Sequence, residues 1–432
     1  MRWLIAPLRS ISELGPQYGA NLRAVPPSGK GIRYVRITDI DDLGQLRPDS
    51  IVEPDGNDIE NYLLSDGDLL LARSGATVGK SYRHVSENGL CAFAGYLIRF
   101  RLNPCVAISR YLSYYLQTPT YWNWVHAKKR VAAQPNISGS EYASLPVPLP
   151  SLREQHRIVE ILDEADRLRR LRREADAKAA RILPALFLKM FGDPATNPRG
   201  WPIANLETVS KIISGATKGR QLNGVETVEL PYMRVANVKD GYLDLSSIKA
   251  IKVRIDEVDK YSLLSGDLLM TEGGDPDKLG RAAIWSGEVE ICLHQNHIFK
   301  VRVKREIVLP EYLRELIGSP YGKAYFLGVA KKTTGIATIN RTQLGRFPVL
   351  IPPINLQTDF VAKFSQLRLI ESHQINAAKA IESIFSELLQ RAFSGQLTAK
   401  WREAHIKELL AEMEQQARLL NLPLPKEREA AP

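Results

Sequence analysis

Apolar residues recur at gaps of three and four in two long stretches of the chain. The first runs from Arg153 to Phe191, has no glycine, and carries Ile158, Ile161, Ala165, Leu168, Leu171, Ala175, Ala179, Ile182 and Leu186 in one stripe. The second runs from Leu356 to Phe393, with Phe360, Phe364, Leu367, Ile370, Ala377, Ile381, Ile384 and Leu388. This spacing keeps one face of an α-helix apolar. At 1.5 Å per residue each helix would span roughly 50–60 Å. Pro184 should kink the first helix or start a new segment. A long single-striped helix needs a partner, either the other helix, as in a coiled coil, or its own globular domain. The two stripes are similar in length, which favours packing of the helices on each other.

Between and before these helices the pattern changes to short runs with period two. Tyr34-Val35-Arg36-Ile37-Thr38-Asp39-Ile40 alternates apolar and polar, and Tyr232-Met233-Arg234-Val235-Ala236-Asn237-Val238 repeats it. Such runs predict half-buried strands. More matches follow in the same order: Gly67-Asp68-Leu69-Leu70-Leu71 with Gly266-Asp267-Leu268-Leu269-Met270, Leu90-Cys91 with Ile291-Cys292, and Thr118-Pro119 with Ser319-Pro320. Lys128-Lys129 pairs with Lys331-Lys332, and the prolines of Leu145–Pro150 with those of Phe347–Pro352. The unit is far longer than a solenoid repeat of roughly 20–50 residues, so each copy is a whole domain with its own helical connector. The pattern divides the chain into a first domain over 1–152, a long helix over 153–196, a second domain over 197–353, a second long helix over 354–395, and a helical tail over 396–432. The charged run Arg167, Arg169, Arg170, Arg172 and Arg173 alternates with acids, as a salt-bridged helix face does.

Composition adds the partner class. The net charge is +10 over 432 residues, which suits a polyanion such as nucleic acid. No apolar run is long enough to span a membrane, and the amino-terminal stretch is too short for a secretory signal, so the expected location is the cytoplasm. Cys91, Cys105 and Cys292 form no pair motif and are expected as small buried hydrophobes.

Catalytic signatures are missing. Gly75-Ala76-Thr77-Val78-Gly79-Lys80-Ser81 has three residues between its glycines where a phosphate-binding loop needs four. Asn103-Pro104-Cys105 and Asn197-Pro198-Arg199 lack the second proline and aromatic of an amino-methyltransferase loop. His294 and His297 on a strand would face opposite ways, a poor metal pair. No catalytic residue and no metal ligand is assigned.

The tandem repeat, with Glu154-Gln155-His156-Arg157-Ile158-Val159 opening one helix, resembles the specificity subunits of Type I restriction-modification systems. Leu186-Phe187-Leu188-Lys189-Met190-Phe191-Gly192-Asp193 and Ala392-Phe393-Ser394-Gly395-Gln396-Leu397-Thr398, which close the two helices, carry the same likeness. It covers about residues 1–400. The resemblance implies tandem mixed α/β target-recognition domains, joined by two long helices packed as an antiparallel coiled coil in a pseudo-twofold repeat. Each domain would read one half of an asymmetric, bipartite site on double-stranded DNA, and the helices would fix the spacer. Two methylation subunits would dock near the helices, and restriction subunits would join them. S-adenosylmethionine, ATP and magnesium would belong to those partners, which methylate adenine and cleave DNA. The rival readings are an enzyme with an unseen motif and a stand-alone DNA-binding protein.

DNA contacts need cations for phosphates and arginine or amides for base edges. Candidates in the first copy are Arg36, Arg73, Lys80, Arg83, Lys128, Lys129, Arg130, Gln134 and Asn136. In the second they are Lys218, Arg220, Arg234, Lys278, Arg281, Lys331, Lys332, Asn340 and Arg341. The lysine pairs and the amide-bearing loops after them are the strongest; Arg36 and Arg234, at matching strand positions, could equally serve the fold. Tyr121, Trp122 and Trp124 are expected in helix packing rather than base stacking.

Overall fold

A computed structural model of the protein describes residues 3–29, 31–56, 58–129, 135–222, 224–275, 279–333 and 335–423. The chain forms two compact units, Met1–Arg172 with Ala377–Pro432, and Arg173–Asn376. We call them unit 1 and unit 2.

Unit 1 is built on a four-stranded antiparallel sheet in the order Ser12–Tyr18, Leu97–Leu102, Leu69–Ala72, Ser81–Arg83. The inner strand Leu69–Ala72 reads as an uninterrupted apolar run because both of its faces are covered. Leu69 and Leu71 enter one core with Ile98, Phe100 and Tyr121. Leu70 and Ala72 enter another with Val35, Phe93 and Leu97. A parallel pair, Arg33–Val35 with Cys91–Phe93, flanks that second core. Helices Ser109–Tyr115 and Pro119–Lys129 cover the first.

Unit 2 repeats this topology. Its four-stranded sheet runs Ser210–Ser214, Ile298–Val303, Leu268–Thr271, Ala282–Ile284. Leu268 and Met270 face one core and Leu269 the other. Thr227–Met233 pairs in parallel with Leu293–His294, as Arg33–Val35 does with Cys91–Phe93. Even one close approach recurs: a Cβ on Gly19 would meet the Phe93 carbonyl oxygen at 2.5 Å, and one on Gly215 the matching His294 oxygen at 2.0 Å. Only glycine fits at either position.

The connectors are helices Leu152–Ala179, Ile182–Phe191 and Ile354–Phe393. Pro184 lies in the first turn of the segment that begins at Ile182, where its missing N–H costs nothing. In unit 1, Ile158 and Leu162 share a core with Phe385, Leu389 and Ala392. In unit 2, Phe187 and Phe191 share one with Phe360 and Phe364. The start of one connector meets the end of the other in both cases, which is an antiparallel pair.

The expected stripes need correction. Leu168 and Leu171 are 47% exposed, Ile182 50%, Ile370 52% and Ile384 57%. Leu162, Phe187, Phe191, Phe385 and Leu389 are buried instead. The seam also packs on globular side chains, Tyr111 and Tyr114 in unit 1 and Tyr312 in unit 2. Large aromatics therefore fill the seam together with Ile158, Leu162, Leu389 and Ala392. The expected salt-bridged face holds for Arg167, paired to Glu164 at 2.7 Å. Arg169 departs from it: buried, it lies over the Phe385 ring at 3.8 Å and pairs with Glu382 at 2.8 Å. Cys91 and Cys292 are buried, but Cys105 is exposed on a turn closed by the Asn103 side chain.

The tail forms helices Ala399–Ala404 and Ile406–Leu419. Met413 and Ala417 enter the first core of unit 1. Glu154, fully buried, accepts from Thr398 Oγ1 at 2.6 Å, Arg402 Nε at 2.7 Å and Trp3 Nε1 at 3.0 Å. Three donors on one carboxylate offset the cost of burying its charge.

Candidate nucleic-acid interface

In unit 1 the inner strand ends at Ala72 and the chain leaves the sheet through Arg73 into a turn at Gly75–Thr77. The segment around Asn136 returns to this point. Ile137 N donates to Arg73 O at 2.8 Å, Gly75 N donates to Pro135 O at 3.2 Å, and Ser74 bridges Asn136. The Arg73 guanidinium lies over the Tyr18 ring at 4.8 Å and reaches Asn136 Oδ1 at 3.4 Å. No carboxylate pairs with it among the described residues. The structure thus brings two candidates, Arg73 and Asn136, into one loop cluster. Tyr18 and Tyr96 complete it, 41% and 61% exposed, and were not singled out from the sequence.

Lys128 and Lys129 end the helix that leads into the same segment. A helix carboxyl end favours cations. Their ammonium groups lie 5.8 Å from the rings of Trp124 and Trp122 respectively, and partial burial pulls Lys129 below the usual lysine range. Tyr121 and Trp124 stack in the helix packing, as expected. Arg130 and Gln134 lie outside the described residues.

The other first-copy candidates are tied elsewhere. Arg36 donates twice to buried Asp39, at 3.0 and 2.8 Å. Lys80 pairs with Asp42 at 2.7 Å, and burial lowers the Arg83 pKa. The near-miss phosphate motif is a turn whose Gly79 packs against Val125 and Trp122.

Unit 2 builds the same site differently. Strand Leu268–Thr271 ends next to Glu272, and Ile339 N donates to Glu272 O at 2.8 Å, as Ile137 does to Arg73. Glu272 N donates to His297 O, as Arg73 N does to Tyr96 O, both at 3.0 Å. Glu272 therefore occupies the place of Arg73, and its carboxylate meets His297 Nδ1 at 2.6 Å. A hairpin, Lys331–Thr333 with Ile336–Thr338, joins the site by pairing with Gly273–Gly274. Lys331 and Lys332 are exposed on it.

Asn340 caps helix Arg341–Gly345, accepting from Gln343 N at 2.9 Å, so its side chain serves the helix start; Arg341 beside it is exposed. Lys218 is exposed, and Arg220 pairs with Glu257 at 2.9 Å. Arg234 N donates to Asn237 Oδ1 at 3.0 Å, the same turn that Arg36 makes with Asp39 at 2.9 Å. Both arginines thus hold a structural turn. Arg281 accepts from Thr271 N through its carbonyl at 3.2 Å. Lys278 lies outside the described residues. Buried His294 has Nδ1 2.9 Å from Tyr261 O, away from His297. No group of three or more His, Cys, Asp or Glu is placed to hold a metal among the described residues. No helix among them is long and apolar enough to cross a membrane.

Two topologically repeated α/β units, each ending its inner strand in a loop cluster whose side chains differ from the other's, with connectors that pair as antiparallel helices, define a tandem-module scaffold protein. Residues 27–178 match the Type I restriction modification DNA specificity domain. The chain is 27% identical over 370 residues to the Type I restriction enzyme StySPI specificity subunit of Salmonella potsdam, covering 79% of this chain and 77% of that one. It is 25% identical over 429 residues to the EcoKI specificity subunit of Escherichia coli K12, covering 93% and 90%. Among solved structures, the Type I system S subunit from M. genitalium shares the fold with a TM-score of 0.53 at 14% identity, over 90% of this chain and 96% of that one. A chain from a study of complex assembly and conformational transition of the type I R-M system matches with a TM-score of 0.53 at 17% identity, over 92% and 98%. Over most of its length the chain is thus similar to Type I restriction-modification specificity subunits, and about a third of it matches their DNA specificity domain.

Proposed function

We propose that each unit reads one half of an asymmetric, bipartite site on double-stranded DNA, and that the paired helices fix the gap between the halves. The observation that carries this reading is the loop cluster itself: one backbone scaffold occurs twice and bears different side chains at its tip. Different tips read different bases, so the two half-sites differ. Arg73, Lys128, Lys129 and Asn136 in unit 1, and Lys331, Lys332 and Arg341 in unit 2, make the contacts. The lysines neutralise phosphates and the tip side chains reach base edges. The net charge of +10 supports a polyanionic partner.

Two methylation subunits dock along the helices and restriction subunits join that core. Leu168 and Leu171, each 47% exposed, offer apolar surface to such a subunit. Adenine methylation from S-adenosylmethionine and ATP-dependent, magnesium-dependent cleavage belong to the partners, and this chain supplies recognition. The test is modification-sensitive sequencing of the host genome with and without the gene. A bipartite, asymmetric methyladenine motif should vanish on deletion. An unchanged pattern would refute the reading.

A further inference from the structure

The residue that follows the inner strand is held by the same two backbone hydrogen bonds in both units, yet it carries opposite charge. Arg73 and Glu272 both donate N–H to a carbonyl at 3.0 Å and accept from an isoleucine N–H at 2.8 Å. Around Arg73 stand Tyr18, Asn136 and Tyr96. Around Glu272 stand His297, one-third of the Glu272 side chain remaining exposed, and the hairpin bearing Lys331 and Lys332.

A carboxylate facing DNA is repelled by phosphates, so it weakens general affinity. Its one favourable use on a base edge is to accept from an exocyclic amine, and cytosine N4 is the partner that geometry favours for Glu. His297 Nδ1 meets Oε2 at 2.6 Å, which leaves Oε1 as the oxygen to accept from a base. An arginine stacked on a tyrosine presents its fork in a set plane, which suits guanine O6 and N7. We infer that Arg73 and Glu272 are the specificity-determining residues of the two units, Arg73 reading a guanine and Glu272 a cytosine.

This inference rests on the DNA-reading function proposed above. It makes an asymmetric prediction. Glutamine at either place pairs with adenine. At Arg73 the purine stays a purine, so Arg73→Gln moves one G·C pair of one half-site toward A·T, a transition. At Glu272 a pyrimidine becomes a purine on the same strand, so Glu272→Gln moves a C·G pair of the other half-site toward A·T, a transversion. Each variant should lower discrimination at its own position by about ten- to a hundredfold and leave the other half-site untouched.

The experiment is modification-sensitive sequencing of the host carrying the wild-type gene, Arg73→Gln, Glu272→Gln or Glu272→Asp. Glu272→Asp keeps an acceptor and should keep the wild-type motif. Single-position changes of the two kinds described support the inference. A wild-type motif retained in full by both glutamine variants overturns it while leaving DNA reading intact. Loss of all modification in Glu272→Gln supports it if Glu272→Asp keeps the motif, and overturns it if Glu272→Asp loses it too. A wild-type strain without any bipartite motif refutes the underlying DNA-reading function as well.

Discussion

The two units share a topology and differ in what they bury at matching places. Where the first long helix opens, Gln155 bridges Val106 O and Pro150 O through its amide and accepts from Ile108 N. Gln357 does the same in unit 2, donating to Ile307 O and Pro352 O and accepting from Leu309 N. The residue before each glutamine diverges: Glu154 in unit 1, bonded to the tail, and Leu356 in unit 2. Phe93 of unit 1 corresponds to His294 of unit 2, since each ends the strand paired in parallel with its neighbour. Arg99 in one sheet is Lys300 in the other, both buried and both donating to loop carbonyls. A repeated backbone tolerates exchange of the groups inside it, provided each buried polar atom still finds a partner.

The largest break in this comparison is expected at the tail. Arg402→Met leaves the fully buried Glu154 without its cation and should cost unit 1 about 3–5 kcal/mol, with unit 2 unchanged. Hydrogen exchange followed by mass spectrometry reads the units separately. Joining Glu154→Leu to it copies the unit 2 solution and should recover most of the loss. A destabilisation spread equally over both units would contradict the comparison.

Next in size is a pH dependence centred on His294 of unit 2, beside the one that burial of His84 gives unit 1 by lowering its pKa. Burial pushes the His294 pKa down to about 4, whereas the unfolded residue titrates near the ordinary histidine value of 6.5. Below 6.5 the unfolded chain binds a proton that the folded one refuses, so stability falls as pH drops from 6.5 to about 4. The loss is at most roughly 3 kcal/mol. Protection of strands Leu293–His294 and Ile298–Val303 should weaken over that range, and His294→Phe should flatten the slope.

A smaller difference separates the two glutamines. Gln357→Leu strips two carbonyls and an N–H of partners and should cost about 1–3 kcal/mol. Gln155→Leu should cost less, because Gln416 of the tail also donates to Val106 O and Pro150 O, at 3.1 and 3.3 Å. Chemical denaturation of the two single variants, followed by exchange, gives the order. Equal losses would mean that the tail glutamine contributes nothing.

The smallest effect concerns the proposed interface. Replacing Lys331 or Lys332 by alanine should weaken DNA binding of the assembled complex evenly across sequences. It should also reduce the salt slope by about 1 for each phosphate that is no longer neutralised. A change of sequence preference without a change of slope would move these lysines from phosphates to base edges.

The sequence alone determined the tandem repeat, the two helical connectors and a break in the first of them near Pro184. Each follows from local periodicity and from residues, glycine and proline above all, whose backbone demands do not depend on neighbours. Which helix positions are buried was decided by tertiary packing. Leu168 and Leu171 look like core in the sequence, yet Arg169 beside them fills the seam by stacking on Phe385 and pairing with Glu382. The candidate site was legible in part: Arg73, Asn136 and the lysine pairs were found from residue type and repeat position. Glu272 was not, because an acid is no signal of a polyanion partner until the backbone places it opposite Arg73. The tail's attachment was equally invisible, since Trp3, Thr398 and Arg402 lie 151, 244 and 248 residues from Glu154 along the chain and meet it only once unit 1 has folded.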